Sequence, residues 1–193
     1  MIRPSVFAIS LSLLATPVIA DIEDPCPELW FARNAMLDHA GYCFSTRLGK
    51  ALFDNSDCIT KEPQVSPAVA AQIATIIKLE QAPDEMYEVC NIDTSKRTLD
   101  IEAILLRKLL DFQPATDGSS AICFGYTGPD IPIYAAPWAG SHRLGTITAG
   151  DNVTFNHLDW KGWSFSLIGQ NGEWGAVGWY NVQIGNHCTD FAG

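Results

Sequence analysis

Apolar positions in the first half of the chain recur at helical spacing, and those in the second half alternate. Leu29, Ala32, Met36, Leu37 and Ala40 share one helical face. Pro27 and Glu28 suit the first turn of that helix and Gly41 its end. Ser66-Pro67 pairs a capping residue with proline at the first helical position. Val69, Ile73, Ile76 and Ile77 then fall at i, i+4, i+7 and i+8, which predicts a second helix. A third is predicted over 99–111, with Ile101, Ile104, Leu105 and Leu109 inward, and residues 45–53 add a short helical turn. Beyond residue 120 the period drops to two. Ile131–Tyr134, Leu144–Ile147 and Val153–Phe155 read as short strands. Trp163, Phe165 and Leu167 alternate with Ser164 and Ser166, which places Trp163 in the core. Asn171-Gly172 is a hairpin turn signal, with 173–177 returning. Short strands at this spacing predict a small barrel.

Composition sharpens the division. Residues 21–117 carry 17 acidic and 9 basic residues, and residues 118–193 only 5 and 2. Gln113 to Ser120, rich in Pro, Gly and Ser, reads as the joint. The expected fold class is α+β, a small disulfide-stapled helical domain over 21–113, a linker over 114–120 and a β-barrel over 121–193.

Ahead of both lies Met1–Ala20, with Arg3, an apolar run from Val6 to Leu14, and Val18-Ile19-Ala20 as a small-x-small cleavage signature. This predicts a signal peptide, and the apolar run is too short to span a bilayer. No transmembrane segment is expected after cleavage. Loss of the leader removes Arg3 and leaves 11 basic against 22 acidic residues, a net charge of −11. Such a surface repels nucleic acid and anionic membranes, so neither is expected as a partner.

An even set of six cysteines in an exported chain predicts a disulfide framework and a periplasmic or secreted location. Cys26, Cys43, Cys58 and Cys90 lie in the helical half, and Cys123 and Cys188 bracket the other. Pairing within halves leaves three of fifteen connectivities, all with Cys123–Cys188. Of these, Cys43–Cys58 with Cys26–Cys90 is preferred, since it closes one short loop and ties the first helix to the end of its half. The gaps of 17, 15, 32, 33 and 65 residues do not match paired zinc ligands, and bridged cysteines leave His39 and His187 no thiolate to activate. No metal, cofactor or catalytic residue is expected. Paired carboxylates such as Glu23-Asp24 and Asp84-Glu85 read as solvated faces.

Residues 29–44, with Arg33-Asn34 and Gly41-Tyr42-x-Phe44, resemble the YARHG domain, a small extracellular bacterial module; Leu37-Asp38-His39-Ala40-Gly41 stands where its five-letter motif belongs. The resemblance implies a compartment and a fold but no chemistry. Arg33 and Asn34 are expected to donate to carbonyls of loop 43–58, and His39 to sit at the helix end. The second half resembles a bacterial SH3-like domain through Ile131–Pro137, Leu144–Val153, Gly162-Trp163-Ser164-Phe165 and Gly175–Trp179. That resemblance implies recognition of envelope polymers, peptides or neighbouring domains rather than catalysis.

Tyr134, Trp138, Trp160, Trp179 and Tyr180 lie near loops or strand ends and form the candidate ligand groove. Asp130, Asp159 and Glu173 are placed to flank it and favour a cationic ligand. The leading expectation is an exported, non-enzymatic binding protein whose partner is an envelope protein or a cell-wall peptide. The alternatives are an acidic inhibitor or immunity-like protein of an envelope hydrolase, and a hydrolase with an unrecognised site.

Overall fold

A computed structural model of the chain describes residues 24–82, 89–99, 106, 109, 112–116 and 118–193. The leader lies outside the described residues, as does the expected helix over 99–111 apart from Leu99, Leu106 and Leu109, the last two of them buried.

Among the described residues, three helices precede seven strands. Helix α1 (Cys26–His39) begins with Pro27 in its first turn, and Asp24 Oδ1 accepts from the Cys26 backbone N–H at 2.9 Å. The chain leaves it through Gly41, at φ +79°, where a Cβ would lie 2.3 Å from Ile59 Cγ1. Only glycine fits that left-handed turn under loop 43–60. Helix α2 (Arg47–Leu52) is capped by Thr46, whose hydroxyl accepts from Gly49 N at 3.1 Å. Helix α3 (Pro67–Gln81) is capped by Ser66, which accepts from Val69 N at 3.3 Å. Trp30, Phe31, Asn34 and Ala35 are buried along with Leu29, Ala32 and Met36 of the expected apolar face, while Leu37 and Ala40 are only half-buried, so α1 is enclosed on most sides. Phe31 and Phe44 stack on Phe53 at 5.3 and 4.7 Å, and Tyr42 meets Phe44 edge-on at 4.9 Å. The Gly41-Tyr42-x-Phe44 motif is therefore part of the aromatic core of this half.

Arg33 and Asn34 do not serve loop 43–58. The Arg33 guanidinium pairs with both carboxylate oxygens of Glu80 on α3, and Asn34 Nδ2 donates to Trp30 O one turn back at 2.7 Å. The loop is held instead by Asn55, which accepts from Phe44 N and donates to Phe44 O, and by Lys61 Nζ donating to Cys43 O.

The strands are β1 (Ile122–Tyr126), β2 (Ile131–Tyr134), β3 (Arg143–Ile147), β4 (Asn152–Thr154), β5 (Ser164–Gln170), β6 (Glu173–Tyr180) and β7 (Cys188–Ala192). They pair antiparallel in the order β3-β2-β6-β5-β4-β1-β7. Among the described residues no pairing joins β3 to β7, so the sheet stays open rather than closing as a barrel. It nevertheless curls: Ile131, Ile133 and Ile147 from one end share a cluster with Cys123, Tyr126 and Val153 from the other. Asn171 and Gly172 both have positive φ, 54° and 83°, as a two-residue hairpin between β5 and β6 requires.

The disulfides are Cys26–Cys90, Cys43–Cys58 and Cys123–Cys188, and the last joins β1 to β7. No cysteine is free.

The two halves share one core. The outer face of β5 and β6, with Phe165, Leu167, Val177 and Trp179, packs into the same cluster as Leu29, Phe31, Met36, Leu48 and Ile76. Residues 112–116 do not form a free linker; all five are buried within this junction. Gln72 Nε2 on α3 donates to Gln113 O at 3.1 Å, and Leu158 N donates to Ala115 O at 2.7 Å, so the segment is hydrogen-bonded to both sides.

Candidate functional site

Two short turns beside the junction put aromatic side chains at the surface. In the turn after β2, Trp138 N donates to Ala136 O at 2.9 Å and Ala135 N to His142 O at 2.8 Å. Before β5, Trp160 and Trp163 exchange backbone hydrogen bonds of 2.8 and 2.9 Å, with Lys161 and Gly162 at positive φ between them. This tight turn fixes both indoles, and the Lys161 ammonium stands 5.4 Å from the Trp160 ring centroid.

Phe112 is the floor. Fully buried, it meets Trp160, Trp179 and Trp138 at ring-centroid distances of 5.2, 5.6 and 5.7 Å, the contacts with Trp179 and Trp138 being edge-on. These separations suit favourable aromatic pairing. Across the Trp160–Trp163 backbone bridge, Tyr134 and Trp163 form a second pair, edge-on at 5.8 Å. Trp138 is 41% exposed, and Tyr134, Trp160 and Trp163 are half-buried. The result is a shelf of four aromatic side chains on a rigid base.

The five aromatic candidates thus divide. Tyr134, Trp138 and Trp160 lie on the shelf. Trp179 is 0% exposed beneath it, and Tyr180 is 1% exposed on the opposite face of β6, so neither meets a surface ligand there. Neighbours on a strand point to opposite faces, and β6 is covered on both at this end. Trp163, expected in the core, is half-buried: it packs against the core cluster and, because it belongs to the turn before β5, also meets Tyr134 at the shelf. Phe112 carried no binding signal in the sequence; its role exists only once the halves dock.

The flanking carboxylates also separate. Asp159 is exposed next to Trp160. Asp130 lies near Tyr126, whose hydroxyl burial, aided by that charge, pushes above the ordinary phenol range. Glu173 sits at the far end of β6, about 20 Å from Trp179 at strand rise.

Tyr180 lines a separate cavity of about 400 Å³ together with His157, Asp159 and Ser164. Its hydroxyl and Ser166 Oγ lie 2.9 Å apart, and Ser166 donates to Thr154 O at 2.6 Å. Burial pushes the Tyr180 phenol up to about 12, with the Asp159 charge adding to the rise and the serine hydrogen bonds opposing it. That makes it a neutral structural donor or acceptor rather than a base at ordinary pH. His157, whose side chain is fully buried, bonds through Nε2 to Glu28 Oε1 on α1 and packs edge-on against Phe165 at 4.7 Å. His39 is the exposed last residue of α1.

Among the described residues no group of three or more His, Cys, Asp or Glu gathers to hold a metal ion, and no helix is long and apolar enough to cross a membrane.

No curated protein and no solved structure matches the chain. The YARHG domain matches residues 8–81. This match and the three disulfides together speak for an extracellular or periplasmic location, where thiols are oxidised. A second match begins at residue 89, before the compositional joint at 114–120. Covering more than half of the sequence, residues 89–193, that match shows that the chain belongs to the family described as Domain of unknown function (DUF4453).

Proposed function

We propose that this is an exported, non-enzymatic binding protein, its leader removed after Ala20, whose second half works in the manner of an SH3-like domain. Its ligand is a peptide segment of an envelope protein or of the cell wall, laid across the shelf of Tyr134, Trp138, Trp160 and Trp163. The observation that carries this reading is Trp138, a large apolar side chain 41% exposed yet held edge-on against a buried phenylalanine. A rigid, exposed indole loses little entropy when covered, which is why tryptophan dominates the energetics of recognition surfaces. The mature charge of −11 steers basic segments toward the protein.

The test is retention of the mature, oxidised protein on purified cell wall and on envelope extracts. Trp138→Ala is expected to weaken retention about tenfold or more, the effect of losing a central anchor. Its stability should fall by less than about 1 kcal/mol, because a half-exposed side chain leaves little cavity. Unchanged retention in Trp138→Ala and Trp160→Ala, with the fold intact, would remove the shelf from consideration.

A further inference from the structure

A second cleft, of about 210 Å³, opens where the start of α1 meets the sheet. Asp24, Glu28, Thr116, Asn156 and Trp174 of β6 are among the residues that line it. Each of the four polar groups is anchored through one atom. Asp24 Oδ1 accepts from Cys26 N at 2.9 Å, and Glu28 Oε1 holds the Nε2 of buried His157. Thr116 Oγ1 accepts from Gly118 N at 3.1 Å, and Asn156 Oδ1 is 3.0 Å from its donor, the Thr154 hydroxyl. Each carboxylate has a second oxygen that can accept, and the Thr116 hydroxyl and the Asn156 amide can donate. Side chains oriented in this way lose little freedom when a ligand arrives.

Trp174 is equally fixed. It stands opposite Gly169 on β5, where a Cβ would lie 2.8 Å from Trp174 Cε3. The missing side chain lets the indole rest against the strand while staying half-buried. Among the described lining residues there is no lysine or arginine. The cleft therefore combines a flat apolar plate with donors and acceptors around it and a negative bias. That combination fits a small ring with an apolar face and a rim of hydroxyl or amine groups, and it repels an acidic ring.

We infer that the cleft between α1 and the sheet binds a neutral or amine-bearing pyranose sugar. The site does not depend on the aromatic shelf. It uses Asp24, Glu28, Thr116 and Asn156 to hold the rim of the sugar and Trp174 to cover its apolar face, and it admits one ring at a time.

The experiment is titration of the oxidised mature chain with N-acetylglucosamine, glucosamine and glucuronic acid, followed by tryptophan fluorescence and calorimetry. The first two should saturate in the millimolar range and glucuronic acid should not bind. Trp174→Ala should weaken binding at least about tenfold. Asp24→Asn, on the exposed rim and harmless to packing, should weaken glucosamine more than N-acetylglucosamine, and it serves as the informative variant should Trp174→Ala fail to fold. Trp138→Ala should leave both affinities unchanged, which separates this site from the shelf. No saturable binding of either sugar, equal binding of glucuronic acid, or full affinity in a folded Trp174→Ala protein would overturn the assignment.

Discussion

Phe112→Ala tests whether the two halves fold as one body. The ring is fully buried and touches three tryptophans of the sheet half, at 5.2 to 5.7 Å between centroids. It also belongs to the cluster that contains Leu29, Phe31, Met36 and Ile76 of the helical half. Truncating a core phenylalanine to alanine costs about 3–5 kcal/mol, the lost transfer energy plus the cavity left behind. The aromatic contacts do not add three times over, since one ring makes them all; about 4 kcal/mol is a fair central value. For a protein of this size 1 kcal/mol shifts the melting point by about 2–4 °C, so Tm should fall by roughly 8–16 °C. Urea unfolding of the oxidised protein, followed in parallel by tryptophan fluorescence and far-ultraviolet circular dichroism, distinguishes the cases. Five of the six tryptophans lie beyond residue 120 and α1 to α3 before it, so the two signals report on different halves. Both curves should shift together. A loss below about 1 kcal/mol, or a fluorescence shift with the helical transition unmoved, would mean that residue 112 is part of a connector between independent domains. Phe112→Leu, which retains most of the volume, should recover more than half of the loss.

Two other outcomes follow from the described geometry. Tyr180 is held neutral in the fold up to about 12, against about 10 in an unfolded chain. Because the folded value is raised, its contribution is fully present below pH 10 and is lost as pH rises from 10 through 12. That contribution is on the order of 2–3 kcal/mol. Tyr180→Phe should flatten the alkaline limb of a stability profile measured by urea unfolding, and an unchanged limb would refute the assignment. Replacing both cysteines of a bridge by serine should cost roughly 3 kcal/mol for Cys43–Cys58 and about 4 for Cys26–Cys90, following loop lengths of 15 and 64 residues. Denaturation that ranks them in the opposite order would show that native packing, rather than chain entropy, sets their value.

Features that depend on neighbours in the chain were legible from residue order. Ser66-Pro67 opens α3, the short turn expected over 45–53 contains α2, Gly41 ends α1, and Asn171-Gly172 turns β5 into β6. Strands β1 and β7 show no such signal. Ile122-Cys123-Phe124-Gly125-Tyr126 and Cys188–Ala192 lack alternation, and they exist as strands because they pair with each other and β1 also pairs with β4. Trp179 and Tyr180 look like groove residues at a strand end, and both are buried because one face of β6 is covered by the helical half and the other by the curl of the sheet. Phe112 reads as the last apolar residue before a linker, yet three tryptophans converge on it. Arg33 finds Glu80, 47 residues away, only because α3 docks beside α1.

Residue order alone therefore determined the helix starts, the hairpin and an oxidised cysteine framework, all of which are written within a few positions or within one half of the chain. The docked structure decided which aromatics reach solvent, what the buried segment 112–116 joins, and where the cleft beside α1 opens. The physical reason is that caps and turns are closed by hydrogen bonds between near neighbours, whereas exposure depends on whatever distant surface comes to cover a side chain, and no local pattern encodes that cover.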